Sequence, residues 1–241
     1  MNRNIVLRLV LITALCAVLL SACSAANLTP ADEDCLDAPA GLVSWWSFEV
    51  NLKDSAGSND GTAVGGESYV AGLADLAFTF EDSDRIYAPT VNLPIGGEDR
   101  TLEFWVMLNS FTEGEDFFAG YGNFGKMQET FHLGTTYGML FFSQWGSTIY
   151  GPNLETNHWY HVAVTLQDSY ATLYLDGTRV AGATMKVNTP ADTVFYMGGI
   201  PAEGSEILDG TLDEVSVYDR ALSAEEISAL YGAGVGGKCK K

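Results

Sequence analysis

The stretch Asp209–Gly234, DGTLDEVSVYDRALSAEEISALYGAG, leaves little conformational freedom. Its first half alternates. Leu212, Glu214, Ser216 and Tyr218 fall on one face of a strand, and Asp213, Val215, Val217 and Asp219 on the other. Apolar residues on both faces predict a mid-sheet strand with one partly covered face. Ser223 then offers a helix N-cap, and Glu226, three residues later, completes a capping box. Ile227, Leu230 and Tyr231 make one apolar stripe, with Gly232 as the stop. A strand, a turn and a short packing helix follow from these spacings.

Elsewhere helical periodicity is scarce. Short alternating apolar runs are punctuated by Asn, Asp and 26 glycines, and a chain of 241 residues has room for one large all-β domain. In TLEFWVML, Leu102, Phe104, Val106 and Leu108 share one face, and Glu103, Trp105 and Met107 the other. Trp45 and Trp46 must point to opposite faces of the first strand. Asp176-Gly177 reads as a tight hairpin turn.

The pattern G-x-LDEV-x-x-YDRALS-x-x-EI-x-x-LY resembles the closing signature of the LamG-like jelly-roll family, within the concanavalin A-like lectin/glucanase folds. GLVSWWSFEVNLKDSAGSNDGT, TLEFWV, WYHVAVTL and ATLYLDGTRVA resemble other segments of that family, in its order. One departure lies between Gly72 and Pro89, where Asp75 and Phe80-Glu81-Asp82 replace a second glycine and an F-D-G turn. The resemblance implies an all-β, antiparallel jelly-roll sandwich over residues 41–234, one short C-terminal helix at about 223–231, and a tail at 235–241. It also implies that His161 is a core histidine and not a catalyst.

Residues 1–22 read as a secretory signal. Arg3 and Arg8 precede an apolar run from Leu9 to Leu20. Leu20-Ser21-Ala22-Cys23 resembles the lipobox of bacterial lipoproteins, which implies acylation of Cys23 and a lipid anchor; the alternative is cleavage near Ala25 or Ala26. Ser24 after the cysteine implies an outer-membrane destination. Residues 23–40 are polar and acidic, with two prolines, and read as a tether.

Twelve basic against 31 acidic residues disfavour nucleic-acid and anionic-lipid partners. Four cysteines are present. With Cys16 lost and Cys23 acylated, Cys35 and Cys239 remain. Export permits a disulfide between them, and neighbouring first and last strands in this kind of jelly roll make it reasonable; two free thiols are the alternative. No Cys/His cluster points to zinc.

Two candidate sites emerge. The loop NLKDSAGSNDGT offers several oxygen donors, as Ca²⁺ requires, although turn chemistry also explains its composition. The resemblance implies a calcium between this loop and the LDEV strand, with Asp54 and Asp213 as ligands and Asn59 and Asp60 as further candidates. Tyr121, His132, Tyr137, Trp145 and Tyr150 lie in or beside Gly- and polar-rich turns, where rings can stack on sugar faces. Trp145, flanked by Ser143, Gln144, Gly146 and Ser147, is the one expected to be exposed.

No paired-carboxylate strand of the retaining glucanase kind, no G-x-S-x-G and no phosphate-binding glycine loop occurs. A monomeric, non-catalytic, tethered binding module for carbohydrate or glycoprotein is therefore expected. A structural or adhesive protein without a sugar site, and a divergent glycosidase or polysaccharide lyase, are the alternatives.

Overall fold

The structure is a computed structural model that describes residues 35–200 and 207–240. The signal, Cys23 and most of the tether lie outside them. In chain order the strands are β1 (Leu42–Trp46), β2 (Thr62–Val64), β3 (Tyr69–Ala71), β4 (Leu76–Phe80), β5 (Arg85–Ala88), β6 (Arg100–Leu108), β7 (Glu115–Gly122) and β8 (Thr130–Thr136). There follow β9 (Met139–Ser143), β10 (Thr148–Asn153), β11 (Trp159–Gln167), β12 (Tyr170–Leu175), β13 (Thr178–Thr184), β14 (Phe195–Met197), β15 (Gly210–Tyr218) and the helix α1 (Ala224–Ala233).

Two antiparallel sheets form the sandwich. The eight-stranded sheet runs β13-β12-β11-β6-β15-β4-β3, with β1 also on β15; the seven-stranded sheet runs β10-β9-β8-β7-β14-β5-β2. As the alternation of TLEFWVML predicts, Leu102, Phe104, Val106 and Leu108 enter the core between the sheets, beside Trp46, Phe78, Phe118, Phe131, Phe142 and Phe195. Burial on this scale is what lets one domain of this length stand alone.

β15 is the central splice. Its first half pairs with β4 (Gly210↔Phe80 to Leu212↔Phe78) and its second half with β1 (Trp46↔Val215 to Leu42↔Tyr218). On its other edge it pairs with β6, with a register shift between Asp213 and Ser216. Glu214 sits there with φ of 58°. This bulge corrects the simple alternation. Leu212, Val215 and Val217 all enter the core, while Asp213 and Glu214 both lie on the outer side. One inserted residue in the left-handed region accounts for the change.

α1 packs on the outer face of the eight-stranded sheet, as expected. Ile227 and Leu230 join Ala163, Tyr174, Tyr218 and Leu222, and Tyr231 stacks on Trp105 at 5.6 Å. Ser223 accepts from Glu226 N, and the Glu226 carboxylate accepts from Ser223 N at 2.8 Å, closing the capping box. The helix passes Gly232 and ends at Gly234. Ser223→Ala should lower stability by about 1 kcal/mol; an unchanged urea midpoint would contradict the role given to this cap.

The chain ends are tied beside the helix. Cys35 and Cys239 form a disulfide. Leu36 pairs in parallel with Lys238 through Leu36 N to Gly237 O and Cys239 N to Leu36 O, both 2.9 Å. This C-terminal strap carries Lys238 into the protein, where its Nζ lies 2.9 Å from Glu214 Oε2 and 3.2 Å from Glu103 Oε1. His161 Nε2 reaches Glu103 Oε2 at 3.1 Å, which fits its expected core role.

Candidate functional site

Among the described residues no helix covers the outer face of the seven-stranded sheet. Alternation on β7, β8 and β9 sends Phe118, Phe131, Leu133, Leu140 and Phe142 inward and turns Phe117, His132, Phe141 and Ser143 outward. Gly134 on β8 makes room there, since a Cβ on it would stand 3.0 Å from the Phe141 ring. The outward rings form one layer. Phe117 stacks on His132 at 5.6 Å and 20°, and Phe141 meets His132 edge-on at 5.7 Å. The loop after β7 folds Phe124 over them, 5.3 Å from both Phe117 and His132 and 5.9 Å from Tyr196.

Beside this layer opens a recess of about 350 Å³ lined by Glu115, Met127, His132, Ser143, Trp145 and Gly146. Trp145 forms one wall, half-buried, with its ring 6.3 Å from Phe124 and 6.4 Å from His132. Its backbone N–H donates to Ser143 Oγ at 3.1 Å, and its φ is 60°. A bulky aromatic residue pays for the left-handed region in steric strain, of order 1 kcal/mol or more, that glycine would avoid. The turn thus holds an indole where backbone conformation alone would favour glycine.

His132 is the floor. It is buried, and desolvation pushes its pKa down to about 3, so the imidazole is neutral at physiological pH. A lowered histidine pKa favours the folded state above the unfolded value of about 6.5, and that contribution is lost as pH falls towards the folded value. Between about pH 6.5 and 4.5 the wild type should lose stability on acidification more steeply than His132→Phe, the carboxylates titrating alike in the two proteins. Parallel melting-temperature profiles for the two proteins would contradict this assignment.

The other predicted aromatics do not converge here. Tyr137 is 75% exposed at the β8–β9 turn and Tyr150 is 53% exposed on β10, and neither lines the recess. Tyr121 is a correction: it is 1% exposed, in the core. Its hydroxyl donates to Pro94 O and accepts from Arg100 Nη1, each at 2.9 Å, and burial pushes its pKa up to about 12. Phe117, Phe124, Met127, Phe141 and Tyr196 complete the face and were not singled out by sequence. The adjacent pairs Phe117-Phe118 and Phe141-Phe142 were the available signal, because neighbours on a strand serve opposite faces.

The four residues proposed for calcium hold separate posts. Asp54 Oδ1 accepts from the backbone N–H of Trp45, Ala56 and Gly57, and Oδ2 from Asn59, all at 2.9–3.0 Å. Asn59 bridges Ser44 Oγ and the backbone of Val91, while Asp60 caps Asp54 N and pairs with Lys53. Asp213 Oδ2 accepts from Leu73 N and Ala74 N, and burial pushes its pKa up to about 8. Among the described residues no three His, Cys, Asp or Glu side chains group to hold a metal ion. Four backbone N–H groups already donate to the Asp54 carboxylate, while Asp213 Oδ1 is buried with no hydrogen-bond partner among the described residues.

Glu103, Asp213 and Glu214 lie on the other sheet, buried beneath the C-terminal strap. Burial opposes charge on Glu103, but Lys238 and His161 outweigh it and hold its pKa below the usual value.

No curated protein matches the sequence. Among solved structures, domain 4 of an extracellular arabinanase from Geobacillus stearothermophilus, in complex with arabinotriose, is similar at 20% identity and a TM-score of 0.64. The match covers 78% of this chain and 97% of that one. Trypanosoma rangeli sialidase, in complex with 2,3-difluorosialic acid, is similar at 22% identity and a TM-score of 0.64, over 80% of this chain but only 33% of the sialidase. A botulinum neurotoxin serotype D binding domain is similar at 15% identity and a TM-score of 0.62, over 80% of this chain and 50% of that one. At these identities the likeness is one of fold. The family described as Laminin_G_3 matches residues 80–228, which span β5 through the first half of α1 and more than half of the chain. With its two-sheet sandwich, its capped C-terminal helix and this match, the chain belongs to the concanavalin A-like lectin/glucanases superfamily.

Proposed function

We propose that the protein is an exported, non-catalytic module that binds carbohydrate on the outer face of the seven-stranded sheet, in the recess between Trp145 and His132. The observation that carries this is Trp145 itself, a half-buried indole held by a strained turn at the edge of an aromatic floor. An aromatic wall with a few polar groups around it is the composition of a sugar site. The arabinotriose complex of the similar arabinanase domain supports the choice of ligand class. The disulfide supports export, and Cys23 is proposed as the lipid anchor to the outer membrane. A non-catalytic role is supported by the burial of Glu103, Asp213 and Glu214 on the other sheet and by Glu115 being, among the described residues, the one carboxylate lining the recess.

Trp145→Gly tests the site. Glycine accepts φ of 60° without strain, so the variant should keep or slightly raise its melting temperature. Its affinity for whichever oligosaccharide the wild type binds should fall at least about tenfold, or about 1.4 kcal/mol. Unchanged affinity by calorimetry would remove Trp145 from the site.

A further inference from the structure

We infer that the recess selects an uncharged sugar and rejects acidic ones, because among the described residues Glu115 at its rim is the one charged side chain lining it. This rests on the carbohydrate reading above. The lining is Glu115, Met127, His132, Ser143, Trp145 and Gly146, with neither lysine nor arginine among them. The cations nearby are placed elsewhere. Lys126 belongs to the loop that carries Met127 but does not line the recess, and Arg85 sits on β5, beyond β14. Glu129, in the same loop, accepts from Asn123 Nδ2 at 2.7 Å.

Recognition of a sugar carboxylate calls for a guanidinium, an ammonium or a charged imidazole. His132 cannot serve, since it is packed between Phe117, Phe124 and Phe141 and stays neutral at physiological pH. Its Nδ1 already meets Thr130 Oγ1 at 3.3 Å. A neutral imidazole, the Ser143 hydroxyl and the Glu115 carboxylate are instead partners for hydroxyl groups, and a carboxylate accepts from a sugar hydroxyl in a charge-assisted bond. A sugar carboxylate beside Glu115 would meet like charge with no counter-ion. The formal charge of −19 on the whole chain adds repulsion at longer range. The volume, about 350 Å³, is at the small end for ligand sites and suits a short segment of a glycan.

The test is a printed array of neutral and acidic glycans, followed by calorimetry at pH 7.5 on matched pairs such as lactose and sialyllactose, or galacto-oligosaccharide and oligogalacturonate. The wild type should bind neutral members at least tenfold more tightly than their acidic counterparts. Glu115→Gln should weaken neutral binding, since it removes a charge-assisted acceptor, and should raise acidic binding so that the gap narrows, whereas Trp145→Gly should lose neutral binding. Tighter binding of acidic members, or a gap that Glu115→Gln leaves unchanged, would overturn the selectivity while leaving carbohydrate binding intact. Absence of any glycan bound, neutral or acidic, would overturn both.

Discussion

Arg100→Met should lower the unfolding free energy by about 4 kcal/mol, placing it among the most damaging single changes available to this fold. Arg100 is fully buried and, among the described residues, pairs with no carboxylate. Its charge is instead dispersed over neutral acceptors. Nε donates to Glu98 O, Nη1 to Pro94 O, Tyr121 Oη and Thr189 Oγ1, and Nη2 to Ile95 O and Gly96 O, all within 2.8–3.1 Å. The guanidinium also lies 5.4 Å from the Phe131 ring centre. Methionine would keep much of the apolar stem but take from Glu98 O its donor from Arg100 and leave Pro94 O, Ile95 O and Gly96 O with one donor each, from Tyr121 Oη, Glu98 N and Thr189 N, at about 1–3 kcal/mol for each group left buried without a partner. Water entering the loop would recover part of that. Arg100→Lys should rescue little, because an ammonium offers three donors where the guanidinium fork offers five. Urea unfolding at constant m-value measures the loss. A cost near 1 kcal/mol for Arg100→Met would show that the loop at 94–98 closes without it.

Lys238→Met should cost about 3–5 kcal/mol at pH 7, the range for breaking a buried pair by removing one partner. Lys238 is 4% exposed and Glu103 and Glu214 are 1% exposed, so solvent cannot replace the lost charge. Burial works against the ammonium, yet the two carboxylates outweigh it and hold its pKa above the usual lysine value. The sign of the pH dependence separates this from lost packing. In the wild type the pKa of Glu103 is depressed, so its contribution is present above the unfolded value of about 4.3 and is lost as pH falls. Without Lys238 both carboxylates lose their ammonium partner and Glu103 keeps only His161, so burial raises the pKa of Glu103 and stability is lost as pH increases. The deficit of Lys238→Met should therefore shrink between pH 7 and pH 5. Adding Glu103→Gln and Glu214→Gln should recover part of it at pH 7. A deficit independent of pH would mean that the strap is held by its disulfide and its lysine stem alone.

Local chemistry was legible in the sequence, and distant chemistry was not. The capping box of α1 needs only Ser223 and Glu226, three residues apart, and it forms as read. The inward row of β6 follows from alternation. The face of Glu214 was misread because the bulge depends on how β15 pairs with β6, which no local pattern encodes. The loop containing Asp54, Asn59 and Asp60 was correctly read as turn-rich. Its oxygens, though, face backbone N–H groups, a use that composition does not distinguish from metal ligation. Trp145 stood out because Ser, Gln and Gly surround it. Phe124 and Met127 did not, because the loop that brings them over His132 is positioned by contacts made after folding, among them Asn188 N to Gln128 O at 2.6 Å. Tyr121 was placed with the site because its glycine neighbours suggest a turn, whereas the partner that fixes it in the core, Arg100, is 21 residues earlier.

The most direct measurement is a nuclear magnetic resonance titration of the mature protein with the oligosaccharide it binds most tightly. Amide and indole shifts should move at Phe117, Phe124, Met127, His132 and Ser143–Gly146, and the Trp145 indole should move most. Shifts centred on α1 and the C-terminal strap, or on the Asp54–Asp60 loop, would contradict a binding face on the seven-stranded sheet.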